Sequence, residues 1–293
     1  MQKVFDQISH LNDDEWLTAL VAELSNDPLE QVPVPKFPPD NLQGKFDGIT
    51  GETNLRAGFD IYRKLKAAAK RCNVVIGPES VILDFGCGWG RVLRCFLRDV
   101  REENLFGVDV NEDAVASCNE TMPFLSVSQI SGEPRLAAAE ESFDVIYAYS
   151  AFAHLPERLH LGWVQEFARC LKPGGLLLAT TQGRSFLERC HDLARSERIE
   201  HLWQQQVLEG FPDPDKALRD YDAGRFLFAP LPRADYGHTL VPKAYVANRW
   251  GEFLDVREFI DDPSYMAQAL IVAQKPLRRP RGGIFSRQRR RVG

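Results

Sequence analysis

Asp84, Gly86, Gly88 and Gly90 stand at alternate positions directly after the run Val81-Ile82-Leu83, and Arg91-Val92 leads on into a helix-like segment. A strand that ends in a glycine-rich turn and feeds a helix brings backbone N–H groups close to a bound cofactor. Glycine is needed there because a side chain would hold the ligand away and many turn dihedrals require φ > 0. The spacing Asp-x-Gly-x-Gly-x-Gly differs from the Gly-x-Gly-x-x-Gly of nicotinamide enzymes, and it carries a leading carboxylate. A second group, Tyr149, Ser150 and His154, follows the apolar run 143–148. That is the carboxyl end of a strand, where open α/β sheets bind ligands. His154 is the candidate general base, and the same imidazole could instead cap or pack the following helix. His191, His201 and His238 are rival bases in the segment 184–250. The six cysteines (72, 87, 95, 118, 170, 190) form no Cys-x-x-Cys pair and no zinc-ligand spacing, so reduced, mostly buried thiols and no metal are expected. Cys87, inside the glycine turn, reads as a packing residue.

The elements that must position these groups are legible from hydropathy periodicity. Around the glycine turn the chain alternates: strand 81–85, helix 90–99, strand 105–110, helix 112–119, a weaker strand near 124–128 and strand 143–150. A helix over 157–171 stops at Lys172-Pro173-Gly174-Gly175 and gives way to strand 176–181. The near-continuous apolar run at 143–150 is that of a central parallel strand buried on both faces. Repeated β–α–β units with short connections imply a doubly wound parallel sheet. The chain closes with strands 253–259 and 268–274 around the turn cluster Asp261-Asp262-Pro263-Ser264, giving a mixed sheet with an antiparallel edge.

Ahead of the turn, residues 13–24 place Trp16, Leu17, Leu20, Val21 and Leu24 on one helical face, with Asn12 or Asp13 as N-cap. Residues 31–39, rich in proline, make an extended arm laid over the main domain. A helix over 55–71 turns Phe59, Tyr62, Leu65 and Ala69 inward. Between the fifth and sixth strands, 185–209 reads as one long helix and 215–222 as another. Segments 225–229 and 236–241 pair as short strands, and a helix begins at Pro242.

Of 293 residues, 44% are hydrophobic and 26% charged, an ordinary globular balance with room for one large core and a modest cap. No apolar run approaches the ~20 residues of a membrane span, and the first residues lack a signal-peptide pattern, so a cytoplasmic protein is expected. The net charge of −5 is uneven: residues 275–293 hold eight Lys/Arg and no acid, leaving −13 on the rest. A body this acidic argues against a nucleic-acid groove. The basic tail reads as solvated and disordered, with contact to RNA or anionic lipid as the other option.

The ordered set of motifs resembles class I S-adenosylmethionine-dependent methyltransferases over residues 56–275. Asp84-Phe85-Gly86-Cys87-Gly88-Trp89-Gly90 is similar to their motif I, Phe143-Asp144-Val145-Ile146-Tyr147 to motif II, and Leu171-Lys172-Pro173-Gly174-Gly175 to the turn before their fifth strand. Asp109, nineteen residues past Gly90, matches the acid that accepts hydrogen bonds from the ribose hydroxyls. The resemblance implies S-adenosyl-L-methionine as cofactor and S-adenosyl-L-homocysteine as product. It implies a site made of Asp84, Gly86, Cys87, Gly88, Gly90, Asp109, Val110, Tyr149 and Ser150, with Asp84 positioning the methionine part. Where many members place an adenine-binding acid, Glu133 is the nearest candidate. Ser150-Ala151-Phe152-Ala153-His154-Leu155 resembles a stretch of small-molecule and glycan-associated members.

The expected fold is α/β: a three-layer Rossmann-like sandwich whose seven-stranded, mostly parallel sheet ends in an antiparallel C-terminal hairpin. The expected divisions are an N-terminal helical cap and arm (1–75), a cofactor-binding core (76–183), a substrate lid (184–250), completing strands (251–275) and a basic tail (276–293). Aromatic residues crowd the lid, which suits a small-molecule or glycan acceptor methylated at O or N. Methylation of RNA or protein, and a silent cofactor-binding partner subunit, are the other readings. Oligomer formation is compatible with all three.

Overall fold

A computed structural model describes residues 3–25, 32–195, 202–231 and 235–277, with backbone only for Asp47, Ala194, Leu202 and Trp203. Four helices come first: α1 (Val4–Ile8), α2 (Asp13–Leu24), α3 (Asp40–Asp47) and α4 (Gly51–Arg71). Then follow β1 (Ile82–Phe85), β2 (Leu105–Asp109), α5 (Glu112–Thr121), β3 (Ser126–Gln129), β4 (Phe143–Ala148), α6 (Glu157–Cys170) and β5 (Leu171–Thr181). A distal group comprises α7 (Arg184–Arg195), α8 (Leu202–Gly210), α9 (Pro214–Asp222), β6 (Leu227–Pro230), β7 (Gly237–Leu240) and α10 (Lys243–Arg249). The chain returns through β8 (Asp255–Ile260) and β9 (Ala269–Gln274).

The main sheet runs β3-β2-β1-β4-β5-β9-β8. Its first five strands are parallel, and β9 is antiparallel to both β5 and β8. The expected α/β sandwich with a seven-stranded mixed sheet is what the chain forms. Sequence order reverses between β1 and β4, so a crevice opens beyond their carboxyl ends, where the glycine turn and His154 sit.

Alternation along the strands divides the interior into two layers. Ile82, Val145, Tyr147, Leu176 and Leu178 face α2, α4 and α5, whereas Leu83, Phe85, Ile146, Leu177 and Ala179 face α6 and α10. Each fully buried large apolar side chain contributes roughly 1.5–3 kcal/mol. The N-terminal helices thereby share one core with the sheet. Asn12 caps α2 with a reciprocal Glu15 bond, and the inward residues Phe59, Tyr62, Leu65 and Ala69 of α4 are all buried. Among the described residues no helix is long and apolar enough to cross a membrane.

Three expectations need correction or limits. Residues 90–99 form a 3-10 helix only at Leu93–Arg98. The buried Arg94 guanidinium donates to the carbonyls of Gly90 (3.2 Å) and Trp89 (3.3 Å) from the side, and Gly90 starts the segment with φ of 78°. The segment 185–209 holds two helices, α7 and α8, which pack against each other and enclose Phe186, Leu187, Cys190 and Val207, a burial that one straight helix could not provide. His201 and the arginine-rich 278–293 lie outside the described residues. The extended arm is as expected: Phe37 meets the Trp89 ring edge-on, and Arg94 donates to the Lys36 carbonyl at 2.9 Å.

Beneath α10, His160 accepts from the Trp250 indole N–H at 3.0 Å inside an aromatic cluster with Phe152, Phe226 and Tyr245. Burial pushes its pKa down to about 3. The folded chain therefore holds it neutral, and this contribution is full above pH ~6.5 and lost as pH falls toward 3. Between pH 7 and 5, urea unfolding should show the wild type losing about 2 kcal/mol more than His160→Gln, which still accepts from Trp250. Equal losses would remove His160 as the cause.

Candidate functional site

The turn after β1 is drawn onto the end of β2. Gly86 and Cys87 donate their N–H groups to the Val108 carbonyl at 2.8 and 3.1 Å. Gly88 N–H donates to Asp109 Oδ2 and Asn111 N–H to Asp109 Oδ1, each at 2.8 Å. These turn amides thus point inward to the fold, not outward to a ligand as the glycine pattern alone suggests. What the glycines provide is space and conformation. All three have positive φ (74°, 53° and 78°), a region costly to other residues. A Cβ at Gly90 would lie 2.3 Å from Met122 Cε, and one at Gly86 3.0 Å from Ala151 Cβ. A Cβ at Gly88 would meet nothing within 4 Å, so this face is open.

Asp109 is buried yet has lone pairs to spare, since a carboxylate can accept about four hydrogen bonds and two are in use. Asp84 lies on β1, 3% exposed, and accepts from the Tyr147 hydroxyl at 2.7 Å. Burial, reinforced by the Asp109 charge and opposed by that hydrogen bond and by Arg91, raises its pKa to about 8. A buried carboxyl with no ion-pair partner among the described residues is poised to receive a cation.

At the end of β4, Ser150 adopts the left-handed conformation (φ 66°, ψ −13°). Its N–H donates to Thr180 Oγ1 at 2.7 Å, Thr180 donates to Gln268 Oε1 at 2.6 Å, and Gln268 Nε2 donates to Ser150 Oγ at 2.9 Å. This closed ring of bonds between β4, β5 and the start of β9 holds an unfavourable backbone in place. Ser150 is thereby satisfied within the protein, and Tyr149 beside it lies under the Arg91 guanidinium.

His154 receives its surroundings from the β6–β7 hairpin. Its Nδ1 lies 2.9 Å from the Gly237 carbonyl, which can only accept, so Nδ1 carries the proton and Nε2 the lone pair. The Tyr236 ring stacks on the imidazole at 4.6 Å, and His238 lies 6.1 Å away. Burial lowers the His154 pKa. Tyr236 is shifted upward by burial and then by the charge of Asp109.

Other residues singled out from the sequence take varied positions. Cys87 is buried, and Gly107 leaves room for its sulfur: a Cβ there would lie 3.1 Å from Cys87 Sγ, as suits a packing role. Val110 is 56% exposed beside Asp109. Glu133 is spent on an exposed ion pair with Arg158. His191 is on α7. Sequence reasoning counted Tyr236 only among lid aromatics and gave Asn111, Thr180 and Gln268 no place. Their roles arise from contacts across the fold, for which no local pattern exists.

Residues 82–175 match the family model described as "Methyltransferase domain". A trans-aconitate 2-methyltransferase from Acidovorax sp. (strain JS42) is 27% identical over 201 residues, spanning 66% of this chain and 74% of that protein. A tRNA N(3)-methylcytidine methyltransferase of Schizosaccharomyces pombe is 31% identical over 130 residues, spanning 41% and 42%. A solved SAM-dependent methyltransferase from Methanosarcina mazei superposes with a TM-score of 0.46 at 19% identity, covering 67% of this chain and 92% of that one. Glycine turn, strand order and family match agree: the chain carries a class I S-adenosylmethionine-dependent methyltransferase domain.

Proposed function

We propose that the crevice beyond β1 and β4 holds S-adenosyl-L-methionine and delivers its methyl group to an O or N atom of a small-molecule or sugar-like acceptor. The observation that carries this reading is the open Gly88 face beside the Asp109 carboxylate. When bound, the cofactor supplies a methyl group already activated on a sulfonium, which leaves the protein to align the acceptor, exclude water and manage a proton. Asp109 accepts from the ribose hydroxyls with its remaining lone pairs, and Val110 offers apolar surface to the adenine. Asp84 serves as counter-charge to the amino group of the methionine part. Gly86, Gly90, Cys87, Tyr149 and Ser150 shape the pocket from below. His154, neutral and with Nε2 free to accept, takes the proton of a hydroxyl acceptor and passes to imidazolium with Gly237 still bound at Nδ1.

Support for a small acceptor comes from the acidic body of the chain and from the Acidovorax relative, whose name gives trans-aconitate as its acceptor. A macromolecular acceptor is the second reading, favoured by the tRNA-methylating relative; that similarity spans less than half of this chain.

Calorimetry with S-adenosylhomocysteine should give one site per chain in the wild type. Binding should fall at least tenfold in Asp109→Ala and in Gly88→Val, and undiminished binding in both would sink the assignment. Asp84→Asn should separate stability from binding. The raised Asp84 pKa makes the ligand-free fold less stable as pH rises from about 4 to about 8, above which the loss is complete. At pH 9 the Asn variant, still able to accept from Tyr147, should unfold at higher urea than wild type while binding S-adenosylhomocysteine more weakly; a lower urea midpoint contradicts this. With a hydroxyl acceptor in hand, His154→Ala should lower kcat roughly 100-fold with the S-adenosylmethionine KM little changed, and an unchanged kcat would exclude a base at this position.

A further inference from the structure

Buried polar atoms without a partner are scarce in folded proteins, and each calls for a reason. Among the described residues seven such side-chain atoms occur, and four of them belong to Thr181, Gln182 and His238. These are Thr181 Oγ1, Gln182 Oε1 and both ring nitrogens of His238, on residues that are 0%, 5% and 3% exposed. The three residues lie on adjoining backbone. Thr181 ends β5, and Gln182 follows it and bridges to Leu240 of β7. The Val241 N–H donates to the Gln182 carbonyl at 3.2 Å. His238 lies on β7, two residues before Leu240, with its ring 6.1 Å from that of His154. The short helix Ala151–Ala153, which leads to His154, packs against both β5 and β7. His238 thus lies beside the candidate base, on a strand whose backbone adjoins that of Gln182 and Thr181.

Resting on the reading of this crevice as a methyl-transfer site, we infer that Thr181, Gln182 and His238 bind the acceptor. We further infer that the acceptor is an uncharged, hydroxyl-bearing molecule such as a polyol or sugar, not a polycarboxylate. The chemistry follows from the inventory of the atoms. Gln182 Oε1 can only accept, and a neutral imidazole accepts at one of its nitrogens, so at least two atoms need a ligand that donates. Hydroxyl groups donate and accept, and so satisfy Thr181 and the His238 N–H as well. An ionised polycarboxylate donates nothing and would leave the two acceptor atoms buried and unpaired. It would also need a cation. Burial lowers both imidazoles, opposed at His154 by the bond to the Gly237 carbonyl and reinforced at His238 by His154. Arg184, two residues beyond Gln182, is engaged by Asp222 and Glu188.

The test is release of S-adenosylhomocysteine by the full chain, across a panel of neutral polyols and sugars and a matched panel of polycarboxylates that includes trans-aconitate. Turnover is expected with hydroxyl-bearing acceptors alone. In His238→Phe the KM for the best acceptor should rise at least tenfold while that for S-adenosylmethionine stays within twofold. His238→Asn should recover part of the loss, and Gln182→Leu should repeat it at a second position. Turnover confined to polycarboxylates, a silent panel, or an unchanged acceptor KM in both His238→Phe and Gln182→Leu overturns the inference. Calorimetry with S-adenosylhomocysteine separates the two levels. If the wild type binds and the acceptor results fail, only this inference falls; if the wild type does not bind, the cofactor reading falls with it.

Discussion

The carboxylate of Asp109 ties the end of β2 to the turn after β1, and the geometry of the site hangs on that tie. One oxygen takes the Gly88 N–H and the other the Asn111 N–H, while Asn111 in turn caps α5 through Ala114. A strand end, a glycine turn and a helix start are thus fixed by one side chain, each bond being stronger for its charged acceptor. Three consecutive constraints follow: Gly86 must clear Ala151, Gly90 must clear Met122, and Gly88 must stay bare. The first two belong to packing. The third leaves open space at a buried carboxylate, where a backbone of positive φ already favours glycine.

A second level of organisation brings distant segments over this turn. The arm before α3 is held by Arg94, whose guanidinium lies 4.4 Å from Phe37 and 4.7 Å from Trp89 and has no carboxylate partner among the described residues. Burial lowers its pKa to about 10, so it remains charged at neutral pH, solvated by carbonyls and ring faces. On the other side, the β6–β7 hairpin carries Tyr236 onto His154, and Asp261 anchors the start of α7 by accepting from Arg184 N–H (2.7 Å) and the Ser185 hydroxyl (2.6 Å). The distal helices are therefore tethered to the same hairpin that completes the sheet. A site assembled this way positions its groups from four separate parts of the chain, as alignment of a displacement reaction requires.

Much of this was legible in the sequence, for definable reasons. Strand β4 announces itself because a strand buried on both faces is apolar throughout, and α2 because Asn12 and Glu15 form a capping box. The glycine turn and Asp109 are visible because backbone approach admits only one residue type and because β–α–β units fix spacing. What stayed hidden depends on tertiary contact. The Arg94 guanidinium turns back onto the carbonyls of Gly90 and Trp89 within the expected helix 90–99, and composition does not reveal where a guanidinium will point. The division into α7 and α8 serves a small core around Cys190 and Val207 that no periodicity within 185–209 announces. Tyr236 gains its place only when the hairpin folds back onto His154.

In the proposed site the bare Gly88 face and the Asp109 carboxylate receive the adenosyl group, with the reacting sulfur toward His154. A crystal structure of the chain with S-adenosylhomocysteine bound tests it directly. Both ribose hydroxyls should lie on Asp109, the nucleoside across Gly88 without displacing the Asn111 bond, and the sulfur on the His154 side of β4. A ligand bound elsewhere, or ribose hydroxyls that make no contact with Asp109, would contradict it.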